Sequence, residues 1–171
     1  MNQRRNFLRL ASAAAVPAAA AAVLSSGVAR ADNGSVKDIL GAWDTIHTLP
    51  FPPFQFREFL TFAEGGVVQE TNSFLHSTSK LDFSAFGLPA QLSAANGMGS
   101  WTRISKNAVT VVFRKMVFDG AGQYIGDFRA EGTITTDGET LWAQWPVLKV
   151  IKVDGQEVPL PPATSTGTRL K

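Results

Sequence analysis

Between Leu40 and the C-terminus, apolar and polar residues alternate with a period of two, in short runs broken by Gly-rich and Asp-Gly turns. Helical periodicity is almost absent. A chain patterned this way builds a sheet with one buried face. Eight strands are expected: Leu40 to Thr48, Phe56 to Phe62, Val67 to Phe74, Gly99 to Ser105, Ala108 to Phe118, Gln123 to Thr135, Thr140 to Val153, and Ala163 to Leu170.

The turns predict the pairing. A two-residue loop at Asp137-Gly138 sets Thr136 opposite Glu139, and Ile134, Gly132, Ala130 and Phe128 then face Leu141, Ala143, Trp145 and Val147. The Asp119-Gly-Ala-Gly122 turn sets Phe113 opposite Phe128 and Arg114 opposite its counter-charge Asp127. A hairpin at Glu64-Gly65 puts Leu60, Phe62 and Val67 on one face with Glu58, Gln69 and Thr71. Consecutive antiparallel hairpins leave unpaired edges unless the sheet closes, so the expected fold is all-β, an antiparallel up-and-down eight-stranded barrel. Small inward residues (Gly126, Ala130, Gly132, Ala143) beside large ones (Phe113, Phe128, Trp145) predict an internal cavity, although glycine also eases strand coiling.

Two places break the pattern. Pro146 cannot donate to a ladder and marks a bulge or an edge, beyond which Leu148 and Val150 compete with Val147, Ile151 and Val153 for the interior. Leu75 to Met98 has no strand pattern but carries Phe83, Phe86, Leu88, Leu92 and Met98, and is expected to be a lid over the barrel mouth or a plug in its end, with a short helix over Leu88 to Ala95.

The N-terminus has different chemistry. Arg4-Arg5, followed by Phe7-Leu8 and Arg9, precedes a mildly apolar Leu10 to Leu24 run broken by Pro17, and Ala29-Arg30-Ala31 supplies a small-x-small cleavage pattern. This resembles a twin-arginine signal peptide over residues 1–31. The resemblance implies passage through the twin-arginine translocase, cleavage by signal peptidase and a periplasmic or extracellular address, without a stable membrane anchor. Export by that route implies folding before translocation. Removing residues 1–31 takes away four arginines and no acid, so 16 basic and 14 acidic residues become 12 and 14. The sequence pI of about 9.2 therefore belongs to the precursor, and no nucleic-acid partner is expected. The remaining 140 residues suit one barrel domain over 32–171, and the absence of cysteine excludes disulfides, thiol nucleophiles and thiolate metal sites.

Gly41-Ala42-Trp43 opens the first strand and Arg169 lies on the last. Together they resemble the lipocalin/calycin pattern, in which a G-x-W tryptophan closes the barrel base and an arginine of the final strand stacks across it. A second triplet, Gly99-Ser100-Trp101, opens the fourth strand with similar offsets to a following Phe-x-x-x-Gly, consistent with either a duplicated half-barrel or similar turn chemistry. The outline also resembles allene oxide cyclase and related barrel cyclases, which implies a cavity that shapes an apolar polyene with few catalytic groups.

Candidate chemistry is sparse. His47 and His76 match no zinc spacing, so neither metal nor cofactor is expected; His47 shares the parity of Trp43 and points inward, as a ligand contact or as a hydrogen-bonded structural residue. Glu58 and Glu70 fall on opposite parities, which excludes a carboxylate dyad. Glu58 is either a lone base or an exterior carboxylate. Tyr124 falls on the inner parity at the rim, as a second acid–base candidate. No Ser-His-Asp order, phosphate loop or dinucleotide fingerprint is present. The ligand-binding candidates are Phe113, Tyr124, Phe128, Trp145, Phe86, Met98, Gln69 and Thr71, and the barrel-closing residues are Trp43 and Arg169. Three functions fit: an exported binder of a small hydrophobic ligand, a barrel cyclase or isomerase using Glu58 or Tyr124, or a ligandless envelope scaffold or inhibitor. The last would use Trp142 and the segments Pro50-Phe-Pro-Pro53 and Pro159-Leu-Pro-Pro162.

Overall fold

The computed structural model describes residues 39–50, 53–72 and 81–171. The signal-like segment 1–31, residues 73–74 of the expected third strand, residues 75–80 of the expected lid with His76 among them, and residues 51–52 of the first proline-rich segment lie outside them. The strands are β1 (Gly41–Pro50), β2 (Pro53–Ala63), β3 (Val67–Asn72), β4 (Leu92–Ala94), β5 (Gly97–Ser105), β6 (Ala108–Asp119), β7 (Tyr124–Thr136), β8 (Thr140–Lys152), β9 (Glu157–Leu160) and β10 (Ala163–Arg169). All pairings are antiparallel. The order β10-β1-β2-β3-β5-β6-β7-β8 closes through β8–β10, giving the eight-stranded barrel, while short β4 and β9 extend β6 and β8. All eight expected strands are present. Expectation missed β4 and β9, each too short to show alternation. Among the described residues no helix is long and apolar enough to cross a membrane.

Three hairpins pair differently from the expected register. Between β2 and β3 the turn takes three residues, Glu64 to Gly66, with Gly65 and Gly66 at φ +83° and +84°, a left-handed backbone that suits glycine. Phe62 then opposes Val68, and Leu60 opposes Glu70. One extra turn residue reverses the faces of β3: Val68 and Glu70 point inward, whereas Val67, Gln69 and Thr71 point outward. Between β6 and β7 a longer turn plus a bulge at Val117/Phe118 move the register by two, so Phe113 opposes Ala130 and Arg114 opposes Arg129 instead of Asp127. Between β7 and β8 the pairing also starts two residues late, with Thr136 opposite Leu141 and Ile134 opposite Ala143. A shift of two preserves the face, so Phe113, Ala130, Ile134, Leu141, Ala143 and Trp145 stay inward while their partners change.

The bulge expected at Pro146 is present, because Thr133 opposes Gln144 while Glu131 opposes Val147. Leu148 and Val150 consequently face the interior and Val147 faces out.

The interior has two apolar regions. One closes the base with Trp43, Leu60, Phe62, Trp101, Val109 and Ile134. Gly41 at φ +114° turns the chain into β1, and Trp43 donates its indole N–H to Ile39 O at 2.8 Å. Arg169 opposes Trp43 in the register, lies 4.4 Å from its ring centroid and donates from Nη1 to Leu40 O at 2.6 Å. Trp101 of the second triplet is also buried, donating to Ala63 O and Val67 O at 3.1 Å. Loss of the cation–π contact and the carbonyl caps makes Arg169→Met about 1–3 kcal/mol less stable, read as a lower urea midpoint at unchanged m.

The other apolar region lies at the opposite end. Leu81, Phe83, Leu88 and Leu92 pack against Val117, Val150 and Val158. This segment contains a single turn of 3-10 helix (Ser84–Phe86) and β4 in place of the helix expected over Leu88 to Ala95. Pairing with β6 draws Leu92 to Ala94 into an extended conformation.

Candidate functional site

Between the two apolar regions lies a cavity of about 70 Å³. Its wall is mostly apolar, with Phe113, Phe128, Trp145 and Leu148 from the strands and Phe83 and Leu92 from the segment over the mouth. Three polar side chains reach it: His47, Glu58 and Lys115. A smaller cavity of about 30 Å³ beside it is bordered by Leu49, Phe83, Phe86 and Leu160.

The polar groups come from neighbouring strands at one level of the barrel, and register explains their meeting. His47 of β1 opposes Ser165 of β10, and Glu58 is a diagonal neighbour of His47 across the β1–β2 pair. Glu70 of β3 opposes Gly97 of β5, while Lys115 of β6 opposes Phe128 of β7. Trp145 Nε1 donates to Ser165 Oγ at 2.7 Å, and Ser165 Oγ lies 3.0 Å from His47 Nδ1. His47 Nε2 contacts the Glu58 carboxylate. Glu58 and Glu70 interact directly, and Glu70 accepts from Lys115 Nζ and from the Gly97 N–H, both at 3.0 Å.

Donor chemistry orders much of this chain. An indole N–H can only donate, so the Ser165 oxygen accepts from Trp145 and its own proton is free to go to His47 Nδ1. In a neutral ring the proton then sits on Nε2 and points at Glu58. His47 also stacks on Phe56 at 4.9 Å and on Trp145 at 5.6 Å, which holds the ring plane. Ser165, His47 and Glu58 thus share the partners of a nucleophile–base–acid triad, which no local motif marks in the sequence. Ser165 does not border the cavity and its oxygen is covered by the indole. Its part is to orient the imidazole.

The two carboxyl groups titrate in opposite directions. Burial raises Glu58, but His47 and then Lys115 oppose it and hold the group below its ordinary value. Burial also raises Glu70; Lys115 opposes this, Glu58 repulsion adds to it, and the group stays above its ordinary value. In such a pair Glu58 ionises first as pH rises and Glu70 second, so Glu70 is the more basic of the two carboxylates. Stability follows with opposite signs. The Glu58 contribution is present above the ordinary value of 4.5 and is lost as pH falls through the lower folded value. The Glu70 contribution is present below 4.5 and is lost as pH rises through the raised folded value. Glu58→Gln should therefore flatten the acid limb of a stability–pH profile, measured by urea midpoints, and also soften the limb above 4.5, because the repulsion that helps to raise Glu70 goes with it.

The residues expected from sequence divide. Phe113, Phe128, Trp145 and Glu58 border the cavity, and His47 points inward as its parity implied. Phe86 borders only the smaller space. Tyr124 differs from expectation: it is half exposed and donates to Asp127 Oδ1 at 2.9 Å, because the bulge at Val117/Phe118 turns it away from the interior. Gln69, Thr71 and Met98 lie on the outer face. Glu58 and Glu70, expected on opposite faces, share the interior. Of the small residues, Ala130 borders the cavity, but the space over Gly132 is taken by the Trp145 indole. Expectation missed Glu70, Lys115 and Ser165. Lys115 was legible, since Val111-x-Phe113-x-Lys115-x-Val117 keeps one inward phase.

No family model matches the sequence. No curated protein matches it either. Among solved structures, the chain is similar to a redesigned β-barrel at 14% identity and a TM-score of 0.46, covering 83% of this chain and 96% of that one. It is also similar to EF1p2_mFAP2b bound to DFHBI at 15% identity and a TM-score of 0.49, covering 82% and 98%. At these levels neither likeness bears on ligand or activity.

Proposed function

We propose that this chain is an exported, lipocalin-like barrel that binds a small, mostly apolar molecule carrying one polar end. One observation carries the reading: an apolar cavity enclosed by the barrel and the 81–94 segment ends on His47, Glu58 and Lys115. At about 70 Å³ it holds a compact ligand, since one water needs roughly 10–15 Å³ on the same scale. The apolar body lies against Phe113, Phe128 and Trp145, and the polar end meets the hydrogen-bonding groups. Native mass spectrometry of the purified protein and a ligand screen read by tryptophan quenching test this. A protein that carries nothing and responds to no compact apolar compound refutes it.

Export is the second part of the proposal and rests on residues 1–31. With Arg4→Lys and Arg5→Lys together the precursor should remain in the cytoplasm, whereas the wild-type chain is recovered outside it with Asp32 as its first residue. Fractionation and N-terminal sequencing decide between these.

A second reading, an acid–base isomerase or cyclase, is favoured by the oppositely shifted carboxyl groups beside the cavity. It expects Glu58→Gln to abolish turnover of an identified substrate while leaving its binding intact.

A further inference from the structure

We propose that Lys115 is a covalent capture point, forming an imine with an aldehyde or ketone that enters the cavity. This rests on the reading of the cavity as a ligand site and names the reactive group of its ligand.

Lys115 is 8% exposed and borders the cavity from the middle of β6. Its Nζ lies 5.7 Å from the Phe113 ring centroid and 5.0 Å from that of Phe128, with Glu70 Oε1 at 3.0 Å. A buried ion pair is not in itself a better stabiliser than two apolar residues of the same volume. Lys115 borders the cavity where a ligand would lie, with Glu70 as an adjacent proton acceptor and Phe113 and Phe128 as an apolar wall. Those are the parts that imine formation uses.

The step balances without a co-reactant. Glu70 takes one proton from the ammonium, and the free amine nitrogen attacks the carbonyl carbon, forming the C–N bond while the carbonyl electron pair moves to oxygen. That oxygen gains two protons in all, one returned by Glu70 and one from the nitrogen. The C–O bond breaks, water leaves, and a C=N bond remains. Protonated, this bond keeps the positive charge of the lysine, so Glu70 and the two phenyl rings hold the product as they hold the ammonium. Burial raises the Glu70 carboxyl, and Glu58 repulsion adds to this although Lys115 opposes it, which suits Glu70 to accepting the proton.

The test uses the whole protein with trans-cinnamaldehyde, and with cinnamyl alcohol as a probe that binds but cannot form an imine. After borohydride reduction, peptide mapping should find a mass gain equal to the aldehyde less one oxygen at Lys115. The yield there should be at least about tenfold above that at exposed Lys106 and Lys171. The doubly neutral Lys115→Met/Glu70→Gln variant should lose this adduct while exposed Lys106 and Lys171 are labelled as in the wild-type protein. Equal labelling of all lysines, or no adduct at Lys115 while the alcohol quenches tryptophan emission, overturns the covalent step and leaves the cavity reading standing. If neither probe binds, the cavity reading fails for these probes and the capture proposal falls with it. Mapping on the wild-type protein decides the matter even if the variant does not fold.

Discussion

Lys115→Met lowers the stability of the barrel by about 3–5 kcal/mol, because it leaves the Glu70 carboxyl buried beside Glu58 without its cation. Glu70→Gln costs a similar amount for the converse reason, a buried ammonium without its nearest anion. The two together should lose far less than the sum. With both charges removed nothing is left uncompensated, and a Met side chain fills much of the lysine stem's volume against Phe113 and Phe128. Urea unfolding of the two single variants and the double variant, analysed as a cycle, gives the coupling. Additive losses would mean that the ion pair does not act as a unit, and would remove Glu70 as the partner of Lys115.

Trp145→Ala is the second large effect, with an expected loss of about 3–5 kcal/mol. The indole is 1% exposed, fills the space over Gly132, and meets Phe113 edge-on at 5.4 Å. It is also the donor at the head of the Trp145–Ser165–His47 chain. Trp145→Phe separates these contributions: it keeps most of the packing and forfeits the N–H, for about 1 kcal/mol. Because Trp145 forms part of the cavity wall, the alanine variant should also accept bulkier ligands than the wild-type protein. Thermal unfolding measures the first effect and a ligand-size series read by native mass spectrometry the second. If Trp145→Ala unfolds no more easily than Trp145→Phe, the indole does not anchor the interior.

The contrast between β3 and β8 shows what could be read in advance. On β8, alternation over Leu141, Ala143 and Trp145 identified the inward face, and Pro146 announced the change of phase, because proline cannot serve a ladder. Errors of two residues in the loops on either side of β7 changed partners but not faces. On β3 the error was one residue, at a turn whose two glycines permit more than one geometry, and that single residue moved Glu70 from the surface to the interior. A carboxylate on a polar strand carries no local mark of burial. Its partner Lys115 lies 45 residues away and meets it only when β5 passes beside β3.

The sequence alone determined the all-β class and the eight barrel strands, since period-two alternation is a local pattern, whereas the tryptophan–arginine contact followed only from the resemblance to the lipocalin/calycin pattern. Tertiary structure decided turn lengths and bulges, and through them which polar residues face inward. Side-chain direction in a strand reverses with each residue, and hydrogen-bonded register is a property of two strands together. The meeting of His47, Glu58 and Lys115 at one cavity, with Glu70 paired to Lys115 behind it, exists only once all eight strands have closed.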